Sequence, residues 1–351
     1  MTSLNRPGSW GSGLRALLRC GSCRFTAFYF LPFYAGLAMH GEVGLGWVAF
    51  GAIYWFAHSL ATELGNRIAE RSEDEVNRPE RTAFCHQVGF PVLRTVTVVS
   101  WLVVAAMDVG LLIRSPRIPL ALLLIAAAAF GIGYSFGPHL KRHPLAALFI
   151  LTFPFSGTFL IGWTARPPAG GLTADEFFHQ ALPFAVLLGS LIASIGGAKD
   201  LTDRVGDAAV GYRSVWVEAV RRHSVLMLAA ITLAPFIYIV AATVTGVLPA
   251  RNLLLCLLLP LSWWFPRAAG GAQTPAEAGA LREIGYTYCG VFVVLAVCLN
   301  VPSVGTLLVS LASIVYWFIA TEYLHWTDGL RLSKIRLLAN RPRRRATETR
   351  S

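Results

Sequence analysis

Apolar segments long enough to cross a lipid bilayer recur along the whole sequence, and this feature restricts the fold more than any other. A membrane-spanning helix needs roughly 17 to 25 apolar residues, and it satisfies its own backbone polar groups inside the hydrocarbon. Hydrophobic residues make up 55% of the chain and charged residues only 14%, unlike the composition of a soluble domain. The sequence therefore predicts an all-α polytopic membrane protein.

Ten spans can be placed along the chain. They lie near residues 25–42, 44–64, 92–113, 118–136, 144–164, 179–198, 224–247, 250–266, 284–300 and 303–322. Short turns such as "LPARN" and "NVPSV" interrupt the last four, so re-entrant or bent segments stay open as an alternative there.

Basic residues collect at alternate ends of the predicted spans. With the N-terminus inside, 26 of the 30 fall on the cytoplasmic side, and the outer side holds Arg114, Arg117, Arg166 and Arg251. Because basic residues near span ends are retained in the cytoplasm, we expect an even number of spans and two cytoplasmic termini.

We expect no removable signal peptide before the first span. A basic fringe beside anionic lipid headgroups explains the net charge of +11, so no nucleic acid partner is expected.

Two groups of carboxylates follow predicted spans on the same side of the membrane. They hold nine of the 19 acidic residues: Glu63, Glu70, Glu73, Asp74, Glu75 and Glu80 after the second span, and Asp200, Asp203 and Asp207 after the sixth. If the second span continues as a helix, Asn66, Glu70 and Asp74 share one face. The second group has the spacing i, i+3, i+7 and shares a face too. Each helix is thus predicted to end in a stripe of oxygen ligands.

Stacked carboxylates repel one another, and a hard divalent cation relieves that repulsion. Mg2+ prefers carboxylate oxygens and often completes its shell with the phosphate oxygens of a substrate. Basic side chains lie beside both groups: Arg71, Arg78 and Arg81, and Lys199, Arg204 and Arg213. These cations suit phosphate oxygens that a metal leaves uncovered. The combination indicates a diphosphate site, although the first group taken alone is equally typical of a solvated loop.

The same residues resemble the UbiA superfamily of intramembrane aromatic prenyltransferases, which carry Asp-rich motifs after their second and sixth helices. "NRIAERSEDEVNRPERT" is similar to the first motif in the chlorophyll synthase and geranylgeranylglyceryl phosphate synthase branch, through Asn66, Asp74, Asn77, Pro79 and Arg81. "KDLTDRVGDAAVGYRS" is similar to the second, through Asp200, Asp203, Gly206, Asp207 and Gly211. "YSFGPHLKR" resembles a third element, through Tyr134, Ser135, Pro138, Leu140 and Lys141. The resemblance covers about residues 20–300.

Two positions of the first motif depart from the family pattern. Arg67 stands in place of the first Asp, and Glu70 stands in place of the second. Glu70 keeps an oxygen ligand, whereas Arg67 cannot ligate a cation but can contact a phosphate oxygen. The family usually has nine helices, so the resemblance implies a bundle of nine to ten transmembrane helices around a central cavity open to the cytoplasmic side.

The resemblance implies Mg2+-dependent transfer of a prenyl group from an isoprenyl diphosphate to an aromatic or lipid-like acceptor. The implied metal ligands are Glu70, Asp74, Asp200, Asp203 and Asp207. The implied catalytic residues are Asp74, Asp200, Asp203 and Asp207. The implied diphosphate contacts are Asn66, Arg67, Arg71, Arg81, Tyr134, Lys141, Lys199 and Arg213. Apolar spans would exclude water from the allylic carbocation and receive the isoprenoid tail.

Three divisions of the chain follow. Residues 1–24 form a basic cytoplasmic arm, 25–322 the transmembrane prenyltransferase domain, and 323–351 an Arg-rich cytoplasmic tail. The expected partners are an isoprenyl diphosphate, a hydrophobic acceptor and membrane lipids. The expected location is the plasma membrane of a bacterium. The sequence does not identify the acceptor, the prenyl chain length or the oligomeric state.

Other functions stay open at this point. A terpene cyclase would use the same diphosphate site and capture the cation internally, and Arg67 and Glu70 are compatible with it. A transporter would need ionisable groups near the bilayer midplane, whereas these lie at helix ends. A non-catalytic prenyl-lipid binder is a further alternative, given the altered first motif.

Overall fold

The chain folds into a bundle of helices. The computed structural model describes residues 10–134, 136–137, 140, 143–167, 171–196, 200, 202, 214–222, 224–272, 274–327 and 329–339. Every regular element in these ranges is helical, and no strand occurs within them. The predicted all-α class is therefore confirmed.

The helices are labelled here in chain order. They are α1 Trp10–Cys20, α2 Thr26–Ala38, α3 Leu45–Ala69, α4 Arg71–Asn77, α5 Pro79–Val88, α6 Phe90–Arg114, α7 Ile118–Gly133, α8 Pro144–Ala165, α9 Ala174–Ile195, α10 Val215–Arg221, α11 Val225–Val244, α12 Leu259–Gly270, α13 Pro275–Asn300, α14 Val304–Leu324 and α15 Leu332–Ala339. A 3-10 helix, Ala250–Leu258, leads directly into α12.

Seven helices in the described ranges are long and apolar enough to cross a membrane: α6, α8, α9, α11, α12 with its 3-10 segment, α13 and α14. Helix α7 is apolar but shorter. All ten predicted spans contain a helix, which makes the chain polytopic, while the count of nine to ten spans stays a prediction.

The start of one span was predicted too late. Helix α13 begins at Pro275 because Thr274 and Glu277 form a capping box, nine residues before the predicted start at 284.

Helices α2 and α8 cross with their backbones in contact. A Cβ atom on Gly162 of α8 would overlap the backbone carbonyl of Phe33, and one on Gly36 of α2 would overlap the carbonyl of Phe159. Small residues permit such close approach between membrane helices, where van der Waals packing replaces the hydrophobic effect as the driving force. The crossing holds together the two helices that carry Phe28 and Phe155 into the cavity described below.

Replacing Gly162 by alanine should therefore separate α2 from α8. We expect the free energy of unfolding to fall by about 1–3 kcal/mol, as overpacking costs elsewhere. Thermal melting of the purified protein in detergent measures this loss. Gly110→Ala is the matched control, because a Cβ at Gly110 of α6 meets nothing within 4 Å. Equal melting temperatures for the two variants would contradict the close crossing of α2 and α8.

Two apolar clusters make up most of the core. The larger joins α2, α8 and α9 to α11, α12 and α13, and the smaller joins α2 and α3 to α6, α7 and α8. Side chains of both clusters line one cavity, which they reach through Phe28 and Phe155 on one side and Trp55 and Ala127 on the other. The functional site is built on this cavity.

Candidate functional site

A cavity of about 200 Å³ lies among α2, α3, α4, α5, α7, α8, α9 and α13. One part of its wall carries charged and amide groups, and the rest is largely apolar. The predicted site residues in its wall are Asn66, Arg67, Glu70, Asp74, Arg81, Tyr134 and Asp200. Side chains that are more than a hundred residues apart along the chain thus meet at one hollow.

Of the remaining predicted site residues, Arg71 is the one that the structure describes, and it is not in this wall. Arg71 is exposed, where its Nε donates to Glu75 Oε1 over 3.0 Å and its guanidinium lies over the Phe90 ring. The others lie outside the described residues: Lys141, Lys199, Asp203, Asp207 and Arg213.

The first acidic motif is not one continuous helix. Helix α3 ends at Ala69, and Glu70 takes a non-helical conformation before α4 begins at Arg71. The backbone nevertheless keeps helical spacing, because Glu70 N donates to Asn66 O and Asp74 N donates to Glu70 O, each over 2.9 Å. Asn66, Glu70 and Asp74 consequently all reach the cavity, as the predicted shared face requires.

Asp74 is held between two arginines. Its Oδ2 accepts from Arg67 Nη1 at 3.2 Å, and its Oδ1 accepts from Arg81 Nη2. Arg67 also donates from Nη2 to Glu63 Oε2 at 2.8 Å and from Nε to the Glu63 carbonyl at 3.0 Å. All of Arg67, Asp74 and Arg81 are buried. Charge-assisted bonds between buried groups are strong and directional, so this cluster is rigid.

The first motif therefore does not fit an ordinary metal site. Both oxygens of Asp74 are engaged by arginines, and Arg67 stands where the family pattern has a carboxylate. Within the described ranges, no group of three His, Cys, Asp or Glu side chains is arranged to hold a metal ion. Asp200 lines the same cavity and is 2% exposed. The two aspartates that follow it in the second motif lie outside those ranges.

The sequence reasoning missed a tryptophan that joins several arginines of the site. Trp326 follows directly after α14. The centre of its ring lies 4.8 Å from the guanidinium carbon of Arg282, 5.6 Å from that of Arg78 and 5.5 Å from that of Arg81. Trp326 and Arg282 both line the cavity. The positive guanidinium group of arginine is attracted to the face of an indole ring. It is weakly hydrated, so it loses little by leaving water for this contact. The chain segment after α14 thus covers the cationic part of the wall.

His325 precedes this tryptophan and also lines the cavity. Its side chain is buried, with only 4% of its surface exposed. Burial, followed by the nearby guanidiniums of Arg24 and Arg282, lowers the pKa of His325 well below its ordinary value. The imidazole is therefore neutral at pH 7, and it adds no charge to the cationic wall.

A buried ion pair joins Arg24, which lines the cavity, to Glu283 of α13. Arg24 Nη1 lies 2.8 Å from Glu283 Oε2, and Nη2 lies 3.2 Å from Oε1. The Arg24 guanidinium also lies over the rings of Phe25, Tyr286 and Trp317 at 4.8 to 5.2 Å. These contacts tie α13 and α14 to the start of α2.

The apolar part of the wall comes mainly from α2, α7, α8 and α9. Three of its aromatic side chains are Trp55, Phe130 and Phe155. Tyr54 donates its hydroxyl to Asp108 Oδ1 at 2.7 Å, and Phe159 packs against Phe184 in the core. The arrangement suits an amphipathic ligand with an anionic head and an apolar body.

Comparisons with known proteins agree with this geometry. The sequence model of the UbiA prenyltransferase family matches residues 29–282, more than half of the chain. No protein of curated function matches the chain in sequence. The match ends at Arg282, so it does not include His325 and Trp326.

Solved structures share the fold. One, from work on the biosynthesis of digeranylgeranylglyceryl phosphate synthase in membranes, has a TM-score of 0.57 and 13% identity, covering 83% of this chain and 99% of that one. A UbiA homologue from Archaeoglobus fulgidus bound to GPP and Mg2+ has a TM-score of 0.54 and 12% identity, covering 81% and 99%. The same homologue bound to DMAPP and Mg2+ has a TM-score of 0.52 and 12% identity, covering 79% and 98%. The chain is an integral membrane protein of the UbiA prenyltransferase family.

Proposed function

We propose that this protein transfers a prenyl group from an isoprenyl diphosphate to a hydrophobic acceptor within the membrane. One observation carries the proposal. Asp74 and Asp200 meet Arg67 and Arg81 in the wall of a cavity that is otherwise lined by apolar helices. Membership of the family, and relatives solved with GPP or DMAPP and Mg2+, support the same reaction class.

The diphosphate would bind at the charged part of the wall. Arg67 and Arg81 are buried and already ordered by Asp74, so they offer fixed positive charge where negative charge develops on the leaving group. Asn66 and Tyr134 lie in the same wall, and we assign Lys141, Lys199 and Arg213 to the same role from the sequence alone. Arg71 lies at the exposed start of α4 and would act only if its side chain turned toward the cavity.

We assign the Mg2+ requirement chiefly to the second motif. Asp200, with Asp203 and Asp207, has the donor types and spacing that Mg2+ prefers, and the metal would supply Lewis-acid stabilisation of the departing diphosphate. Glu70 and Asp74 remain in the proposed site, with Asp74 acting mainly as the partner that orders two arginines.

The apolar wall would hold the isoprenoid tail and keep water from the allylic cation. Phe28, Phe155 and Ile192 line the cavity and belong to one apolar cluster, and all three are buried. Aromatic faces there can stabilise a nearby cation. We also keep the cytoplasmic position of both termini in the proposal, because 26 of the 30 basic residues favour it.

The direct test is turnover. Purified protein in lipid nanodiscs is incubated with geranylgeranyl diphosphate and Mg2+, with and without a lipid extract as the source of acceptor. Prenylated product and released diphosphate only in the presence of the extract support transfer. A cyclic hydrocarbon or alcohol formed without the extract would replace transfer by a terpene cyclase activity, and no release under either condition would leave a binder.

Arg67 gives a sharper prediction. Replacing it by alanine should weaken the binding of geranylgeranyl diphosphate by about 10- to 100-fold, because one hydrogen bond to a charged group contributes roughly 1.5–3 kcal/mol. Titration of the radiolabelled diphosphate measures this. Arg94→Ala, an exposed arginine on α6, is the control that should change nothing. Unchanged binding in Arg67→Ala would show that this arginine serves the fold alone.

A further inference from the structure

One aromatic ring joins arginines that come from two distant parts of the chain. Arg78 and Arg81 lie at the start of α5, and Arg282 lies on α13. The guanidinium carbon of each lies 4.8 to 5.6 Å from the centre of the Trp326 ring. All four side chains line the cavity. We call Trp326 and these three arginines the Trp326 cluster.

The Trp326 cluster gathers like charges at one place, and such an arrangement needs compensation. Neighbouring guanidiniums repel one another, and each long arginine side chain loses rotamer freedom when it is held. The face of an indole ring attracts a guanidinium, most strongly where water is excluded. Arg81 and Arg282 are both buried. Trp326 therefore offsets part of the cost of keeping these cations together in fixed positions.

Arg282 adds positive charge to the end of the cavity that holds the first acidic motif. Its Nε lies 3.3 Å from Glu283 Oε1, and the same carboxylate pairs with Arg24 at 2.8 Å, so these three side chains together carry one positive charge. Burial is the main cause of the lowered pKa of His325, and the charges of Arg282 and Arg67 both add to it. Arg282 thus acts at the same end of the cavity as Arg67, although it belongs to neither acidic motif.

The chain holds Trp326 in place from both sides. The preceding His325 is buried, and the Thr327 hydroxyl donates to Glu283 Oε1 at 3.3 Å. Gly329 follows with a φ of 66°, and a Cβ at this left-handed position would overlap a side chain of α14. Helix α15 then packs against α13. The position of the ring is therefore set by contacts of the fold.

We propose that Trp326 is a positioning residue for the diphosphate group, and that it holds the three arginines of its cluster ready to bind phosphate oxygens. Arginine suits this task because its N–H donors form a planar fork that matches such oxygens. Side chains that are ordered in advance lose less freedom when the ligand binds. The choice of ligand rests on the prenyl transfer proposed above, whereas the cluster itself is a feature of the structure. The family match ends at Arg282, so it assigns no role to Trp326.

Binding of three probes to the purified protein in nanodiscs tests this role without turnover. They are geranylgeranyl diphosphate and inorganic diphosphate, each with Mg2+, and geranylgeraniol, which has the tail but no phosphate. We expect Trp326→Leu to bind both diphosphates about 10-fold more weakly, because the guanidiniums lose the attraction of the ring. Geranylgeraniol should bind as it does to the parent protein. Trp326→Phe should keep most of the affinity, since a phenyl face also attracts a cation.

A double-mutant cycle shows whether Trp326 acts through Arg282. Arg282→Met should weaken the binding of both diphosphates by about 10- to 100-fold, since it removes hydrogen bonds to a charged group. Trp326→Leu should then cost less affinity in the Arg282→Met background than in the parent. Trp263→Leu is the matched control. Trp263 is exposed on α12, outside the cavity wall, and the centre of its ring lies 4.3 Å from the guanidinium carbon of Arg267, so all three affinities should stay the same.

Diphosphate binding in Trp326→Leu that equals or exceeds that of the parent would overturn the proposal. An equal loss of geranylgeraniol binding would overturn it too, because the ring would then support the cavity and not the charged groups. Losses that add in full in the double mutant would overturn it as well.

Two outcomes separate this role from the proposed function. If inorganic diphosphate binding depends on Trp326, while geranylgeranyl diphosphate binds no more tightly and forms no product, the positioning role is upheld and the transferase function fails. Prenyl transfer by Trp326→Leu with the KM of the parent would leave the transferase function standing and refute the positioning role.

Discussion

Replacing Asp200 by asparagine should lower prenyl transfer by about 100- to 1000-fold, comparable to the loss of one preorganised electrostatic group in other active sites. Asp200 is 2% exposed and shares the cavity wall with the Asp74 cluster. Because bulk water does not reach this position, water cannot take over the role of the lost carboxylate in the variant. The asparagine is nearly isosteric and removes only the charge. The measurement is kcat/KM for diphosphate release over a range of Mg2+ concentrations.

The control for this variant is Asp175→Asn. Asp175 lies at the start of α9 with a side chain that is 84% exposed, and its partner His179 is 71% exposed. It should keep full activity. If Asp200→Asn and Asp175→Asn turn over at the same rate, Asp200 has no part in the chemistry and the two acidic motifs do not act together.

Replacing Glu283 by glutamine should destabilise the protein by about 3–5 kcal/mol, the cost of leaving one charge of a buried ion pair without its partner. The side chains of Arg24 and Glu283 are 1% and 2% exposed and 2.8 Å apart. Thr327 also donates to Glu283 Oε1 at 3.3 Å, so the change should loosen the segment that carries Trp326. Thermal melting in detergent measures the loss.

Two further variants show whether the lost pair is the cause. In Arg24→Met with Glu283→Leu, neither charge of this pair remains, and apolar pairs often replace buried ion pairs without penalty. Arg282 Nε also lies 3.3 Å from Glu283 Oε1 and loses this partner, so stability should recover only part of the loss. Glu322→Gln removes an exposed pair with Arg331, at 3.4 Å, and should cost less than about 1 kcal/mol. A melting temperature for Glu283→Gln equal to that of Glu322→Gln would refute the stabilising role of the buried pair.

The helices were the most predictable part of the structure. Long apolar segments have few other ways to satisfy their backbone in a membrane, so all ten predicted spans contain a helix. The meeting of Asp74 and Asp200 was also predictable. Both follow predicted spans on the same side of the membrane, and a cation bound between them would relieve the repulsion among the carboxylates. The early start of α13 had a local signal, the capping box of Thr274 and Glu277, that the apolar pattern alone did not include.

Other parts of the site had no local signal. Arg282, His325 and Trp326 reach the cavity because α13 and α14 pack back onto α2, and sequence spacing does not record that contact. The pairing of Arg67 with Asp74 spans the break at Glu70, and the sequence pattern shows neither the break nor the pairing.

The central claim is that one cavity holds the diphosphate at its charged part and the isoprenoid tail among apolar helices. A geranylgeranyl diphosphate analogue with a diazirine near the tail end tests it by photo-crosslinking in nanodiscs, with mass spectrometry of the labelled peptides. We expect adducts on α8 and α9 near Phe155 and Ile192, lost when unlabelled geranylgeranyl diphosphate competes and reduced in Arg67→Ala. Adducts confined to the outer, lipid-facing residues of the bundle and unaffected by competition would contradict the account.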